Sequence, residues 1–205
     1  MPVITDIQRQ RKREGRFSIY IDDRFVFGLD DIELSASGLR IGQELSRREI
    51  EEWQSRSVEG KAYNATLRYL SYRLRSKSEL QCYLHDKEYD DSTIELTLKR
   101  LADLGLVDDL VFANTWITDR LRLKPRSRAV LMAELRHKGI ASEVIDVALA
   151  AIEPDDELQS LRRLTAKKRS HYDEAKLIQY LRSKGYNYGL IKEAIALETD
   201  ESEQN

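Results

Sequence analysis

The side chains best suited to chemistry with a partner are cations, and they come in three groups: Arg73, Arg75 and Lys77; Arg120, Arg122, Lys124, Arg126 and Arg128; Arg162, Arg163, Lys167, Lys168 and Arg169. Guanidinium and ammonium groups neutralise phosphates or pair with a partner's carboxylates. One such run usually reads as a solvated helix face. Three runs spaced along the chain favour the other reading, a line of positive patches facing a periodic, charged partner. The run from Arg122 to Arg128, interrupted by Pro125, is the strongest. A further basic set, Arg9, Arg11, Lys12, Arg13 and Arg16, falls between two strand candidates. It suits either an arm reaching a phosphate backbone or a solvated loop.

Catalytic and metal chemistry find little to stand on. Cys82 and His85 are three apart on one helix and supply two metal ligands, but nothing nearby completes a tetrahedral set. Cys82 therefore reads as a small packed residue. Asp108 and Asp109 are carboxylates at a helix start, and Asp109 is expected to cap that helix. There is no glycine-rich phosphate loop, nucleophile elbow or catalytic carboxylate pair. No cofactor is expected.

Composition sets the frame for these residues. The chain has 205 residues, 41% hydrophobic and 34% charged, with a net charge of −2, so any polyanion must be met by local patches. A single cysteine excludes an internal disulfide and suits a reducing cytoplasm. No apolar run is long enough to span a bilayer. Three prolines and nine glycines among abundant Leu, Glu, Arg and Lys favour helix.

What must position the cations is a repeat. Leu84, Leu135 and Leu181 are each preceded, four residues earlier, by Leu80, Leu131 and Leu177. That spacing puts each pair on one helix face. Tyr89, Ile140 and Tyr186 follow at equal offsets, then Ile94, Ile145 and Ile191, then Leu98, Leu149 and Ile195. Ser76, Ser127 and Asp173 stand where helix N-caps belong, and Glu79 completes a capping box with Ser76. Lys87, Lys138 and Lys184 suit the negative C-terminal end. Gly139 and Gly185 suit the left-handed residue that ends a helix. Glu88 departs from that pattern, so the first helix is expected to end differently. A new helix restarts near Asp91, Ser142 and Asn187. Further helical stretches at 60–75, 110–123 and 156–168 precede the capped helices, giving three short helices per unit. Each basic group then falls at the junction between a unit's first two helices. Leu101 and Ile152 give way to Glu198 in the last unit, as befits an end on which nothing stacks.

The N-terminal residues change period. Phe17, Ile19 and Ile21 alternate, then Phe25, Phe27 and Leu29, which predicts a β-hairpin turning at Asp22 and Asp23. Residues 3–10 supply a third strand, and a helix opened by Ser46 and Glu49 covers the ribbon. Residues 55–60 read as a boundary, and the acidic tail from 199 reads as disordered.

Three stretches, YRLRSKSELQCYL, LKRLADLGLVDDLVFANTWITDRL and AELRHKGIASEVIDVAL, resemble the RecX family of bacterial recombination regulators. The Leu-Gly-Leu-Val-Asp-Asp segment before Phe112 and Ala113 is the most specific part, and Lys138-Gly139-Ile140 the next. The resemblance covers residues 60–152 most strongly. Glu88 stands where that family often has glycine. The resemblance implies binding to RecA and to the RecA–DNA filament in its helical groove. With it come inhibition of the recombinase, ATPase and co-protease activities of RecA, by limiting filament extension or promoting disassembly, and so a place in DNA repair and the SOS response.

The expectation is a mainly α chain: an elongated array of three tandem three-helix repeats (60–108, 109–153 and 154–198) behind a β-hairpin and helix (1–59), ending in an acidic tail (199–205). It is a cytoplasmic, monomeric, non-enzymatic regulator without a membrane anchor. Direct DNA binding without an obligatory RecA partner is the alternative, and a purely structural adaptor the third reading.

Overall fold

The computed structural model describes residues 1–11 and 15–203, with the side chains of 198–203 excepted. The described chain is mainly helical with one small sheet, and it forms two compact units. One comprises Met1–Arg73 with Gln81–Leu104; the other comprises Leu74–Leu80 and the chain from Gly105 onward. Among the described residues no helix is long and apolar enough to cross a membrane.

The first unit opens with three antiparallel strands in sequence order, β1 (Ile4–Arg9), β2 (Arg16–Ile21) and β3 (Arg24–Asp30). Asp22 and Asp23 turn β2 into β3 with φ of 48° and 61°, the left-handed pair that a two-residue hairpin demands. Ile4, Ile19, Ile21, Phe27 and Leu29 are buried. Phe25 is not, because the register slips between Ile19 and Tyr20 and pairs it with Tyr20. The slip turns its ring to the opposite face, edge-on to Tyr20 at 6.1 Å.

Helix α1 (Asp31–Ser37) follows through an Asp30/Glu33 capping box, and α2 (Arg47–Leu70) through the expected box of Ser46 and Glu49. Trp53 of α2 stacks on Phe27 at 6.3 Å. The boundary expected at 55–60 is instead the middle of α2, which runs unbroken for 24 residues. The small residues that suggested a linker are there for contact. The Ser57 hydroxyl donates to Gly28 O at 2.6 Å and accepts its N–H at 3.2 Å. A Cβ on Gly60 would stand 2.6 Å from Glu33 Oε1. The C-terminal half of α2 packs on α4 (Asp91–Asp103), with Arg100 4.1 Å above the Tyr63 ring.

The repeat is present as spaced. Its second helices are α3 (Lys77–His85), α6 (Arg128–His137) and α9 (Glu174–Ser183); its third helices are α4, α7 (Ser142–Ala150) and α10 (Tyr188–Glu203). Its first helices are the C-terminal half of α2, then α5 (Asp109–Leu123) and α8 (Pro154–Arg169). All six anchor leucines, Leu80, Leu84, Leu131, Leu135, Leu177 and Leu181, are buried. The second helices close alike: the N–H groups of Tyr89, Ile140 and Tyr186 bond Leu84, Leu135 and Leu181 carbonyls at 3.2, 3.1 and 3.3 Å. That six-to-one bond is the Schellman closure. Glu88 does not end its helix differently after all. Its φ of 62° matches Gly139 at 72° and Gly185 at 83°, so a residue with a Cβ holds the left-handed place.

Three further expectations need correction. Asp108, not Asp109, caps α5, taking the N–H groups of Leu110 and Val111 at 2.7 and 3.0 Å. Cys82 is exposed on α3, because it lies off the face that carries Leu80 and Leu84. The tail expected to be disordered is helical as far as Glu203, while 204–205 and the Glu198 side chain lie outside what is described.

Candidate partner-binding surface

The basic groups of repeats 1 and 2 flank the link between first and second helices, whereas that of repeat 3, expected at such a link, lies wholly on α8, and the side chains do different work. In repeat 1, Arg73 and Lys77 are exposed and Arg75 is half-buried. The Lys77 N–H donates to Asp109 Oδ1 at 2.8 Å, so Asp109 serves the start of α3.

In repeat 2 the run divides. Glu134 on α6 collects Arg120 Nε at 2.7 Å, Arg126 Nε at 3.3 Å and Trp116 Nε1 at 2.8 Å. The Arg120 guanidinium also lies 4.2 Å from the Trp116 ring centre. Lys138 Nζ lies 5.2 Å from that ring and pairs with Glu79 at 2.8 Å. Partial burial pushes the Glu134 carboxyl up. The hydrogen bonds from Arg120 and Trp116, the Arg120 charge and the Arg126 bond more than offset this, leaving it below the ordinary carboxylate range.

Arg128 belongs to the fold. Its Nη1 and Nη2 donate to the Leu149 and Ile152 carbonyls, both at 3.0 Å, at the end of α7, and its Nε pairs with Glu157 of α8 at 2.6 Å. This satisfies carbonyls that the helix end leaves open. Arg122 and Lys124, by contrast, are exposed and have no partner among the described residues.

Repeat 3 repeats the division. Arg163 Nη2 donates to Leu121 O at 2.8 Å, beside the Ser160 hydroxyl on the same carbonyl at 2.9 Å. Lys168 Nζ sits 5.9 Å from the Tyr180 ring, and Arg162 is half-buried. Lys167 and Arg169 are exposed in the last turn of α8, where cations meet the negative helix end.

In the N-terminal basic set, Arg9 ends β1 and Arg11 is exposed. Arg16 is not on a loop: it begins β2, is buried, and donates from Nη2 to Gly28 O at 3.1 Å. Lys12 and Arg13 lie outside the described residues.

Sequence reasoning missed the Trp116–Glu134–Lys138–Glu79 cluster. Trp116 to Arg120 and Glu134 to Lys138 each stand four apart, a visible hint of same-face pairs. The bonds that matter join different helices, which spacing within one helix does not show. No set of His, Cys, Asp and Glu among the described residues could hold a metal ion. After each internal pair is counted, the repeat 2 junction keeps a positive surplus: Arg120 and Arg126 share one carboxylate, and Arg122 and Lys124 share none.

Fold and surface together define a tandem three-helix-repeat protein fronted by a small sheet, with cations on and beside the first helix of each repeat. The chain belongs to the RecX family. The Regulatory protein RecX N-terminal domain matches residues 2–46, the first RecX three-helix domain 62–101 and the second 108–149. The Regulatory protein RecX of Levilactobacillus brevis is 32% identical, over 100% of this chain and 80% of that protein. That of Listeria monocytogenes serotype 4a is 30% identical, over 97% and 76%. A crystal structure of regulatory protein RecX superposes with a TM-score of 0.75 at 28% identity, over 94% of this chain and all of that one. RecX from Lactobacillus salivarius gives 0.60 at 27%, over 68% and 95%.

Proposed function

We propose that this RecX-family regulator binds RecA and the groove of the RecA–DNA filament. It lowers recombinase, ATPase and co-protease activity by limiting filament extension or promoting disassembly. The observation that carries this reading is the set of exposed cations that the fold does not consume, Arg122 and Lys124 in repeat 2 and Lys167 in repeat 3, with Lys77 at the start of α3. Cations carried on or beside helices bring an already ordered backbone to a partner's carboxylates or phosphates, so only their side chains remain to be ordered. Several modest contacts on one chain raise each other's effective concentration. The action is occupancy, not catalysis, and belongs to the bacterial cytoplasm where RecA works.

The test is ATP hydrolysis by RecA on single-stranded DNA. Stoichiometric protein should lower the rate. The charge reversal Arg122→Glu/Lys124→Glu should restore most of it while leaving the melting temperature unchanged. No inhibition by the parent protein would refute the reading. Direct DNA binding without RecA is the second reading, favoured by the same cations. It requires affinity for bare DNA that falls with salt at a log–log slope of about −0.9 per neutralised phosphate.

A further inference from the structure

The N-cap serines of the first two repeats do more than cap. Ser76 Oγ accepts the Glu79 N–H at 3.1 Å and donates to the carbonyl of Lys138, the C-cap of α6 in the next repeat, at 2.7 Å. Ser127 Oγ accepts the Val130 N–H at 3.4 Å and donates to the carbonyl of Lys184, the C-cap of α9, at 2.8 Å. Both serines are fully buried, at 0% and 1% exposure. The residue after each accepting lysine is a left-handed glycine seated against the preceding repeat. A Cβ on Gly185 would stand 2.8 Å from Ser127 Oγ, and one on Gly139 would run into the Ser78 side chain. All of this lies within one compact unit, which explains why Leu74–Leu80 belongs to it.

Repeats 1 and 3 depart from the pattern in opposite ways. Repeat 3 has Asp173 at the cap. Its carboxylate accepts the Lys176 N–H at 2.8 Å and pairs with Lys176 Nζ at 2.9 Å, but an ionised carboxylate has no proton to give a carbonyl. Repeat 1 has Glu88 where the other two have glycine. No earlier repeat presses on that position, so the backbone conformation is kept while the need for space is gone.

We infer that these residues form an inter-repeat joint. A serine cap donates forward to the next repeat's helix end, and a glycine there makes room for the first residues of the donating helix, Ser78 against Gly139 and Ser127 against Gly185. Because a hydroxyl both accepts and donates, serine is required at internal caps, although aspartate caps helices equally well elsewhere.

The test is amide hydrogen exchange of the full chain with Ser127→Asp and Ser127→Ala. If serine is only a cap, aspartate is neutral everywhere and alanine affects only residues 128–131. The joint predicts that aspartate keeps protection at 128–131 yet speeds exchange at Gly185 and Tyr186 about tenfold, on the scale of one lost hydrogen bond. Should aspartate prevent folding, alanine decides. Faster exchange at both 128–131 and 185–186 supports the joint; faster exchange confined to 128–131 overturns it.

Discussion

Glu88 carries a side chain at φ 62°, where L-residues pay about 1–2 kcal/mol relative to glycine. Glu88→Gly should therefore stabilise the protein by roughly 1 kcal/mol, allowing for the looser unfolded chain, and chemical denaturation measures it. Gly139→Ala should do the reverse by more than 1 kcal/mol, since it meets both the left-handed penalty and Ser78. Arg128→Ala should cost about 2 kcal/mol, because it leaves the Leu149 and Ile152 carbonyls and the Glu157 carboxylate without their donor. Lys124→Ala should leave stability unchanged. Glu134 gives a pH signature. Its carboxyl is depressed from the ordinary 4.5 in the folded protein, so the folded state binds fewer protons than the unfolded chain as acid is added. The stability it contributes is complete above about pH 4.5 and disappears as pH falls through the lower folded value. Glu134→Gln should flatten that acid limb of the melting curve.

At the scale of elements, the sequence was most legible where structure is local. Leucines four apart, a serine or aspartate four residues before them and a glycine just past the end involve one helix and its two caps, and these features located α6 and α9 closely. It was least legible where small residues serve a neighbour. Ser57 and Gly60 have the composition of a linker, yet they sit mid-helix because β3 and α1 approach there. The bulge beside Val26 likewise hides from a period-two reading and moves Phe25 to the outer face. The basic groups of repeats 1 and 2 flank their junctions and that of repeat 3 lies on α8, but which cations stay available depended on acceptors far along the chain. Arg128 meets Glu157 29 residues on and Arg163 meets Leu121 42 residues back. Spacing within one helix carries no trace of such pairs.

At the scale of the whole molecule, a net charge of −2 argues against broad attraction to polyanions, so the binding proposed above rests on local patches. Under the proposed function, reversing Arg122 and Lys124 together should weaken inhibition of RecA far more than reversing two exposed cations elsewhere, such as Arg40 and Arg47. A comparison of ATPase inhibition curves would show it, and equal loss from both pairs would favour diffuse attraction instead.

The uninterrupted α2 bears on how the protein can be cut. An expression fragment begun at residue 60 would start on bare helical turns with open N–H groups, and one stopped at 59 would keep Trp53 on the sheet but strip Tyr63 from Arg100 of α4. Neither piece owns the whole rod that both require. A soluble N-terminal fragment should extend at least to Leu70.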